Sequence, residues 1–241
     1  MIEIKNLTCR LNENIVLDDV SFKINKGENV AIIGPNGSGK TTLLRVLNGL
    51  IDVKRGEYIF DGQRIDSKFL NDAKKRKIFH KRIGFVFQNS DNQLFCKTVF
   101  DEIAFGLLQF DIKYEEIEKR VYDCLKLLDI EHLKNRVPYT LSGGEKKKVV
   151  IASTLALNPE VLILDEPLNE IDPKSKRKIK ELLQTLNDFG KTIICATHDF
   201  DYFKGLFKRA IVLSSEHKII YDGDFDRLIG DKEFLEKNNI I

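Results

Sequence analysis

The sequence predicts an α/β fold in which a largely parallel sheet lies between helices. Three observations carry that expectation. Val30–Ile33, Val161–Leu164 and Ile193–Ala196 are short, wholly apolar runs, as strands buried on both faces are. Segments with apolar residues at helical spacing separate them, and alternating strands and helices build parallel sheets. The first run ends on Gly34, and the others on polar residues, at Asp165-Glu166 and at Thr197-His198. Ligands of such sheets bind at the carboxyl ends of strands.

Taken in order, residues 1–28 read as β structure. Ile2 and Ile4 alternate with charged residues, as do Val20, Phe22 and Ile24 with polar ones, which is the pattern of a half-buried strand. Asn12-Glu13-Asn14 and Lys26-Gly27-Glu28 are turn sequences. After Val30–Ile33 comes Gly34-Pro35-Asn36-Gly37-Ser38-Gly39-Lys40-Thr41, which fits G-x-x-x-x-G-K-[ST], the phosphate-binding loop. Leu43, Leu44, Leu47 and Leu50 follow at helical spacing. The loop therefore joins a strand end to a helix start. Its glycines let the backbone approach a phosphate closely, and the helix N-terminus faces the anion. Lys40 can reach the β- and γ-phosphates, and the Thr41 hydroxyl can hold Mg²⁺.

Glu57–Phe60 is a further strand, closed by Asp61-Gly62. The basic stretch holding Lys68, Lys74, Lys75, Arg76, Lys77, Lys81 and Arg82 reads as a solvated face with a loop, or as a contact with lipid headgroups or another chain. Ile83–Phe87 is a strand that ends at Gln88. From Ser90 to Leu157 the chain turns helical, with Ile117, Val121, Leu125 and Leu128 as one apolar stripe. Ser142 and Glu145 stand three apart before Val149-Val150-Ile151, a capping box. Two glycines in that first turn, Gly143 and Gly144, suit the approach of a phosphate to its N–H groups. A helix with Asp172 as N-cap, Pro173 at its first position and Gly190 as stop precedes Thr192–Ala196. Ile211–Leu213 and Lys218–Tyr221 form a hairpin, and a polar tail closes the chain. The expected division is a nucleotide-binding core with a β subdomain at 1–88 and 158–213, a helical subdomain at 89–157, and the hairpin and tail at 214–241.

With 241 residues the chain makes one large domain or two small ones. Its 39 basic and 37 acidic residues leave a net charge of +2, which argues against a nucleic-acid partner. Cys9, Cys96, Cys124 and Cys195 are far apart, without zinc spacing, and read as buried free thiols of a reducing compartment. The N-terminus has no signal-peptide core, and no apolar run is long enough to span a membrane. Asp165, at a strand end beside the phosphate loop, can hold Mg²⁺ directly or through water. Glu166 reaches a different point, the water attacking the γ-phosphate, as a base worth about 10²–10⁴ in rate.

The order Gly34–Thr41, Gln88, Leu141-Ser142-Gly143-Gly144-Glu145, Asp165-Glu166 and His198 resembles the ATP-binding subunits of ABC transporters over essentially the whole chain. The resemblance implies a P-loop NTPase of that kind: a mostly parallel core sheet, an N-terminal antiparallel β subdomain and an inserted helical subdomain. It implies that Gly34 to Thr42 bind ATP, including Pro35, Asn36, Gly37, Ser38, Gly39, Lys40, Thr41 and Thr42. Leu11 fills the slot where the family places an adenine-stacking aromatic. Catalysis falls to Glu166, His198, Gln88 and Lys40, and Mg²⁺ to Thr41, Gln88 and Asp165. Two subunits, identical or different, face head to tail, so Ser142, Gly143, Gly144 and Glu145 meet the partner's ATP and Asp172 lies in the loop crossing the dimer. Glu145 replaces a commoner glutamine, and Asn169-Glu170-Ile171-Asp172 replaces a small-residue loop.

A narrower likeness rests on Phe87-Gln88-Asn89-Ser90-Asp91-Asn92-Gln93-Leu94-Phe95 with Thr98-Val99 and Ile103–Gly106. It is to the ATPases of energy-coupling factor (ECF) importers, nearest to those for cobalt and nickel, with biotin and other vitamin systems close. It implies an integral membrane subunit docked near Gln88–Phe95, at the cytoplasmic face of the membrane, with Asp91 as the carboxylate that meets it. The competing reading is a soluble ABC ATPase of iron–sulfur cluster assembly. A DNA-repair ATPase would need a long coiled coil between Thr41 and Leu141, and a translation factor would need two ATPase halves.

Overall fold

The computed structural model describes residues 1–169, 171–200 and 202–241. Its first sheet has four antiparallel strands in the order β2-β1-β4-β5: β1 (Ile2–Leu11), β2 (Asn14–Ile24), β4 (Arg55–Phe60) and β5 (Gln63–Arg64). The second has six in the order β10-β9-β3-β8-β7-β6: β3 (Asn29–Ile33), β6 (Ile83–Val86), β7 (Val161–Asp165), β8 (Thr192–Ala196), β9 (Arg209–Leu213) and β10 (Ile219–Asp224). It is parallel except where β10 turns back on β9 as the expected hairpin. Every residue of β3, β6, β7 and β8 is buried, which is why these strands read as apolar runs without alternation.

Both faces of this sheet are covered. Ala31 and Ile33 belong to one apolar cluster, while Val30 and Ile32 belong to another, the two-residue period of a strand. The first cluster is completed by α4 (Val99–Leu108), α5 (Tyr114–Leu127), α6 (Gly143–Ala156) and α7 (Pro173–Asp188). The second is completed by α1 (Lys40–Leu47) and the four-stranded sheet. The stripe expected on α5 is buried as Ile117, Val121 and Leu125, with Leu128 just beyond. Asp172 caps α7 through Lys174 N and Ser175 N, Pro173 opens it, and Gly190 follows its end at φ 81°.

Two expectations need correction. The basic stretch is not a loop but two helices, α2 (Ser67–Asn71) and α3 (Ala73–Arg82), each N-capped by an aspartate, Asp66 and Asp72. One side chain, Phe79, anchors α3 among Tyr58, Phe60 and Phe69; a single buried position leaves no stripe to read. The tail is not simply polar. It forms α8 (Phe225–Gly230) and α9 (Lys232–Lys237) and buries Phe225, Leu228, Leu235 and Ile240.

Strand order sets the site. β8 lies between β3 and β7, with β6 beyond. The carboxyl ends of these four strands therefore bring Gly34, His198, Asp165-Glu166 and Gln88 to one edge of the sheet.

Candidate active site

The phosphate loop leaves β3 and enters α1 at Gly39, which caps the helix at φ 103° and offers it no side chain. The first N–H groups of α1 thus keep no side-chain partner at the cap, the condition for anion binding at a helix start. The glycines have different reasons. A Cβ on Gly34 would sit 2.3 Å from the Leu213 carbonyl oxygen, and one on Gly39 2.2 Å from that of Val16. The protein's own backbone demands these two glycines, whatever the phosphate requires. Gly37 has nothing within 4 Å of its Cβ position but holds φ 81°; it is the open, left-handed part of the cradle.

Lys40 is buried, and its Nζ donates to the carbonyls of Gly34 at 2.7 Å and Pro35 at 3.0 Å. Burial lowers its pKa, while Glu166 and Asp165 draw it back up. The ammonium is already at the centre of the loop, poised to exchange carbonyls for phosphate oxygens. The Thr41 hydroxyl lies beside the Asp165 carboxylate and draws its pKa down. Asp165 is 2% exposed at the end of β7, and burial raises its pKa against that pull. A buried carboxylate beside a hydroxyl, with the Gln88 side chain lining the same cleft, is a set of hard oxygen donors. Such a set fits Mg²⁺, which takes few protein ligands and completes its shell with phosphates and water.

Glu166 follows Asp165 at φ 45°, a left-handed conformation that costs a non-glycine residue about 1 kcal/mol or more. The twist turns its carboxylate into the cleft. Oε2 accepts from the His198 backbone N at 3.3 Å, and Oε1 lies 3.5 Å from His198 Nε2. Oε1 is buried without a hydrogen-bond partner among the described residues. Burial pushes the carboxyl up to about 7, against the His198 N–H and the Lys40 charge. A group with that pKa and an unsatisfied acceptor is suited to take a proton near neutral pH. His198 is shifted down, by burial first and by Lys40 second, so its imidazole is neutral at pH 7.

These groups line one cleft of about 440 Å³, together with Asn36, Ser38 and Thr42 of the loop. Of the residues expected to bind nucleotide, Gly34 and Pro35 lie behind it as the carbonyls that hold Lys40. Leu11, expected beside the adenine, lies outside it. It is 40% exposed, pairs with Asn14 beside the β1–β2 turn, and lines a separate depression with Leu50 and Lys54. Val16 on β2 supplies the cleft with an apolar wall instead. Asn169, noted from sequence only as part of an unusual loop and not as a site residue, also lines the cleft. Lys147 was missed as well. It is 3% exposed on α6, and its Nζ donates to the carbonyls of Phe87 at 2.9 Å and Gln88 at 2.7 Å.

The Ser142–Glu145 segment is not in this cleft. It sits at the outer end of α6 with its capping box formed: Ser142 N donates to Glu145 Oε2 at 2.9 Å, and Glu145 N to Ser142 Oγ at 3.4 Å. The bonds from Ser142 N and from its hydroxyl to Glu145 Oε2 hold the Glu145 carboxyl below its usual range. Asp172 caps α7 and also lies outside the cleft; Glu170 falls outside the described residues. Asp91 is 63% exposed at its side chain and accepts from Lys146 Nζ at 2.7 Å.

Comparison with known proteins agrees with this geometry. The profile of the ABC transporter family matches residues 17–169. The nickel import ATP-binding protein LarO of Lactiplantibacillus plantarum is 44% identical, over 97% of this chain and 96% of its own length. The energy-coupling factor transporter ATP-binding protein EcfA of Methanocaldococcus jannaschii is 40% identical, over 100% of this chain and 85% of its own. Among solved structures, cbiO1 of Clostridium perfringens, part of the ABC transporter complex cbiONQ, superposes with a TM-score of 0.82 at 35% identity, over 99% of this chain and 94% of that one. The cassette MJ0796, in a dimeric post-hydrolysis state bound to ADP and Pi, superposes at 0.84 with 33% identity, over 93% and 99%. With matches of 40% identity or more along nearly the full length, and a cleft that holds a phosphate-loop lysine, open helix N–H groups and buried carboxylates, the chain belongs to the ABC transporter family as an ATP-hydrolysing ATP-binding subunit, similar to those of the ECF and CbiO kind.

Proposed function

We propose that this chain drives an ECF-type importer by closing head to tail on a second ATPase subunit around two ATP molecules. The observation that carries the reading is the split between the cleft and the signature segment. The cleft has the phosphate loop, the candidate Mg²⁺ ligands and the candidate base, while Ser142–Glu145 lie outside it at the start of α6, exposed or half-buried. Ser142 and Gly144 complete the partner's site, and the partner's signature completes this one. Thr41 and Asp165 with Gln88 would hold Mg²⁺, which would supply positive charge against the phosphate oxygens. Lys40 moves from the Gly34 and Pro35 carbonyls to those oxygens. Glu166 accepts a proton from the attacking water through its unpartnered Oε1, and neutral His198 donates toward the γ-phosphate.

The transport partner is an integral membrane subunit that docks in the groove lined by Phe87, Gln93, Phe95 and Phe105. Lys147 fixes the Phe87 and Gln88 carbonyls at the inner end of that groove, so movement at the γ-phosphate reaches the docking surface. Asp91 is available to a basic partner through the oxygen that Lys146 does not hold. No helix among the described residues is long and apolar enough to cross a membrane, which accords with a peripheral subunit at the cytoplasmic face. The cargo is a metal ion, nickel or cobalt, or a vitamin such as biotin; the nickel name of LarO favours the metal.

The test is uptake of labelled nickel, cobalt and biotin by membranes holding this chain with its neighbouring membrane components, with wild-type chain or Asp91→Lys. Uptake with wild type and its loss with the variant, while the free variant still binds ATP, is expected. A chain that never copurifies with an integral membrane protein would return the reading to a soluble iron–sulfur ATPase.

A further inference from the structure

The feature this function leaves unused is the outer face of α3. Residues 68–82 hold seven of the chain's 39 basic residues and one of its 37 acidic ones. The whole chain is only +2, so the rest of the molecule is acid-rich and the positive charge is local. On α3, positions 74, 77, 78 and 81 share one face by their spacing. They are Lys74, Lys77, Ile78 and Lys81, all exposed, with Ile78 at 60%.

The opposite side is pinned. Phe79 is buried among three rings, and Arg82 pairs with Glu160 and Asp61, each at 2.6 Å. The helix therefore cannot roll to hide its lysines or its isoleucine. Lys77 and Lys81 lie 4.9 and 4.8 Å over the Phe110 ring, just past the end of α4. On α4 itself Leu108 is 54% and Phe105 42% exposed, and Phe105 stacks edge-on with Phe95, 66% exposed, at 4.8 Å. Phe95, Phe105 and His80 of α3 rim the groove assigned above to the membrane subunit. The lysine face is thus contiguous with that groove.

We propose that this face rests on anionic lipid headgroups of the bilayer beside the membrane subunit. The proposal uses the importer reading only to say where the bilayer is; the binding is a property of the chain alone. Lysines extend their stems along an apolar surface and keep the ammonium at headgroup level, and Ile78 supplies that apolar point in the middle of three of them. A ten-residue helix is about 15 Å long, enough for a few headgroups. A nucleic acid would run past it onto the acid-rich remainder and be repelled.

The experiment is co-sedimentation of the full chain with phosphatidylcholine vesicles, with and without phosphatidylserine, at low and physiological salt. Binding only to the phosphatidylserine vesicles, weaker at higher salt, is expected. Replacing Lys74, Lys77 and Lys81 together by Gln lowers the partition coefficient at least tenfold, from about fivefold per lysine. The same variant keeps the wild-type rate of ATP hydrolysis, since none of the three lines the cleft, and that rate also reports that it has folded. Ile78→Ser gives a smaller loss. Equal binding to both vesicle types, no binding at low salt, or an unaltered triple variant overturns the proposal. So does a triple variant that loses copurification with a membrane subunit when the wild type ignores vesicles, because the face is then a protein interface. Selective vesicle binding by a chain that copurifies with no membrane protein would leave this surface standing and remove the importer reading instead.

Discussion

At the start of α1 the N-cap is Gly39, which gives the helix no side chain. At the start of α6 it is Ser142, whose hydroxyl takes the Glu145 N–H while the Glu145 carboxylate takes the Ser142 N–H. Both helices begin at glycine-containing motifs, yet one end is open and ringed by buried groups, and the other is exposed and closed by its own carboxylate. The open end carries its own helix N–H groups, lysine and carboxylates. The closed end can receive a phosphate only by sharing its N–H groups with Glu145 or displacing it. Binding at the first should therefore need no partner, and binding at the second should need the whole surface of one. That difference can be attacked from either side.

The largest effect comes from the open end. Glu166→Gln should lower the hydrolysis rate by about 10²–10⁴ while Mg²⁺-ATP traps a dimer visible by light scattering; a monomer at saturating ATP would break the comparison. The same variant reports on stability with a defined sign. The buried Glu166 carboxyl titrates at about 7 instead of its ordinary 4.5. The folded chain thus keeps a proton that the unfolded chain has lost, and stability falls as pH rises from about 4.5 through about 7. Removing the acid should raise the melting temperature of the nucleotide-free protein more at pH 8 than at pH 5, by the equivalent of about 1–3 kcal/mol. Wild-type turnover should climb over the same upper range as the base loses its proton.

Next is Lys40→Ala, expected to cost about 10²–10³ in rate; near-normal turnover would show that the loop does not carry the charge assigned to it. At the closed end, Ser142→Arg should weaken ATP-driven association at least tenfold while leaving nucleotide binding by the monomer intact, measured by ultracentrifugation and fluorescent-nucleotide titration. Loss of binding in the monomer would mean the two ends are not separable. The smallest change sharpens the contrast. Glu145→Gln keeps the capping geometry but removes a negative charge from the helix N-terminus. Charges there are worth about 0.3–1 kcal/mol, so dimers should form at two- to fivefold lower ATP.

The legibility of this molecule from its sequence follows burial pattern. β3, β7 and β8 could be placed because both faces are buried, and the α7 and α6 caps because Asp172-Pro173 and Ser142/Glu145 act locally. α3 could not, since only Phe79 is buried and the rest is charge. The last helices could not, since Phe225, Leu228 and Leu235 are divided by Gly230-Asp231 and give neither helix a long stripe. In the site, Asp165, Glu166, His198 and Gln88 were legible as residues at strand ends. Leu11 was placed by family resemblance alone; it lies beside the β1–β2 turn, where the two strands pair through several register shifts between Ile4 and Arg10, which no alternation pattern reveals. Lys147 was invisible because a lysine among lysines reads as solvated, although it is the one of the three, Lys146, Lys147 and Lys148, that is fully buried.

The three glycines of the phosphate loop have a consequence for descent. Gly34 and Gly39 answer to the carbonyls of Leu213 and Val16, which belong to the fold whether or not ATP is ever cleaved. Gly37 answers to an open cradle and a backbone angle that asparagine or aspartate tolerates. A lineage that lost hydrolysis but kept the protein as a scaffold would be held to the first and last glycine and released at the middle one. In such a descendant the motif would erode from its centre outward, and the surviving outer glycines would record a shape rather than a chemistry.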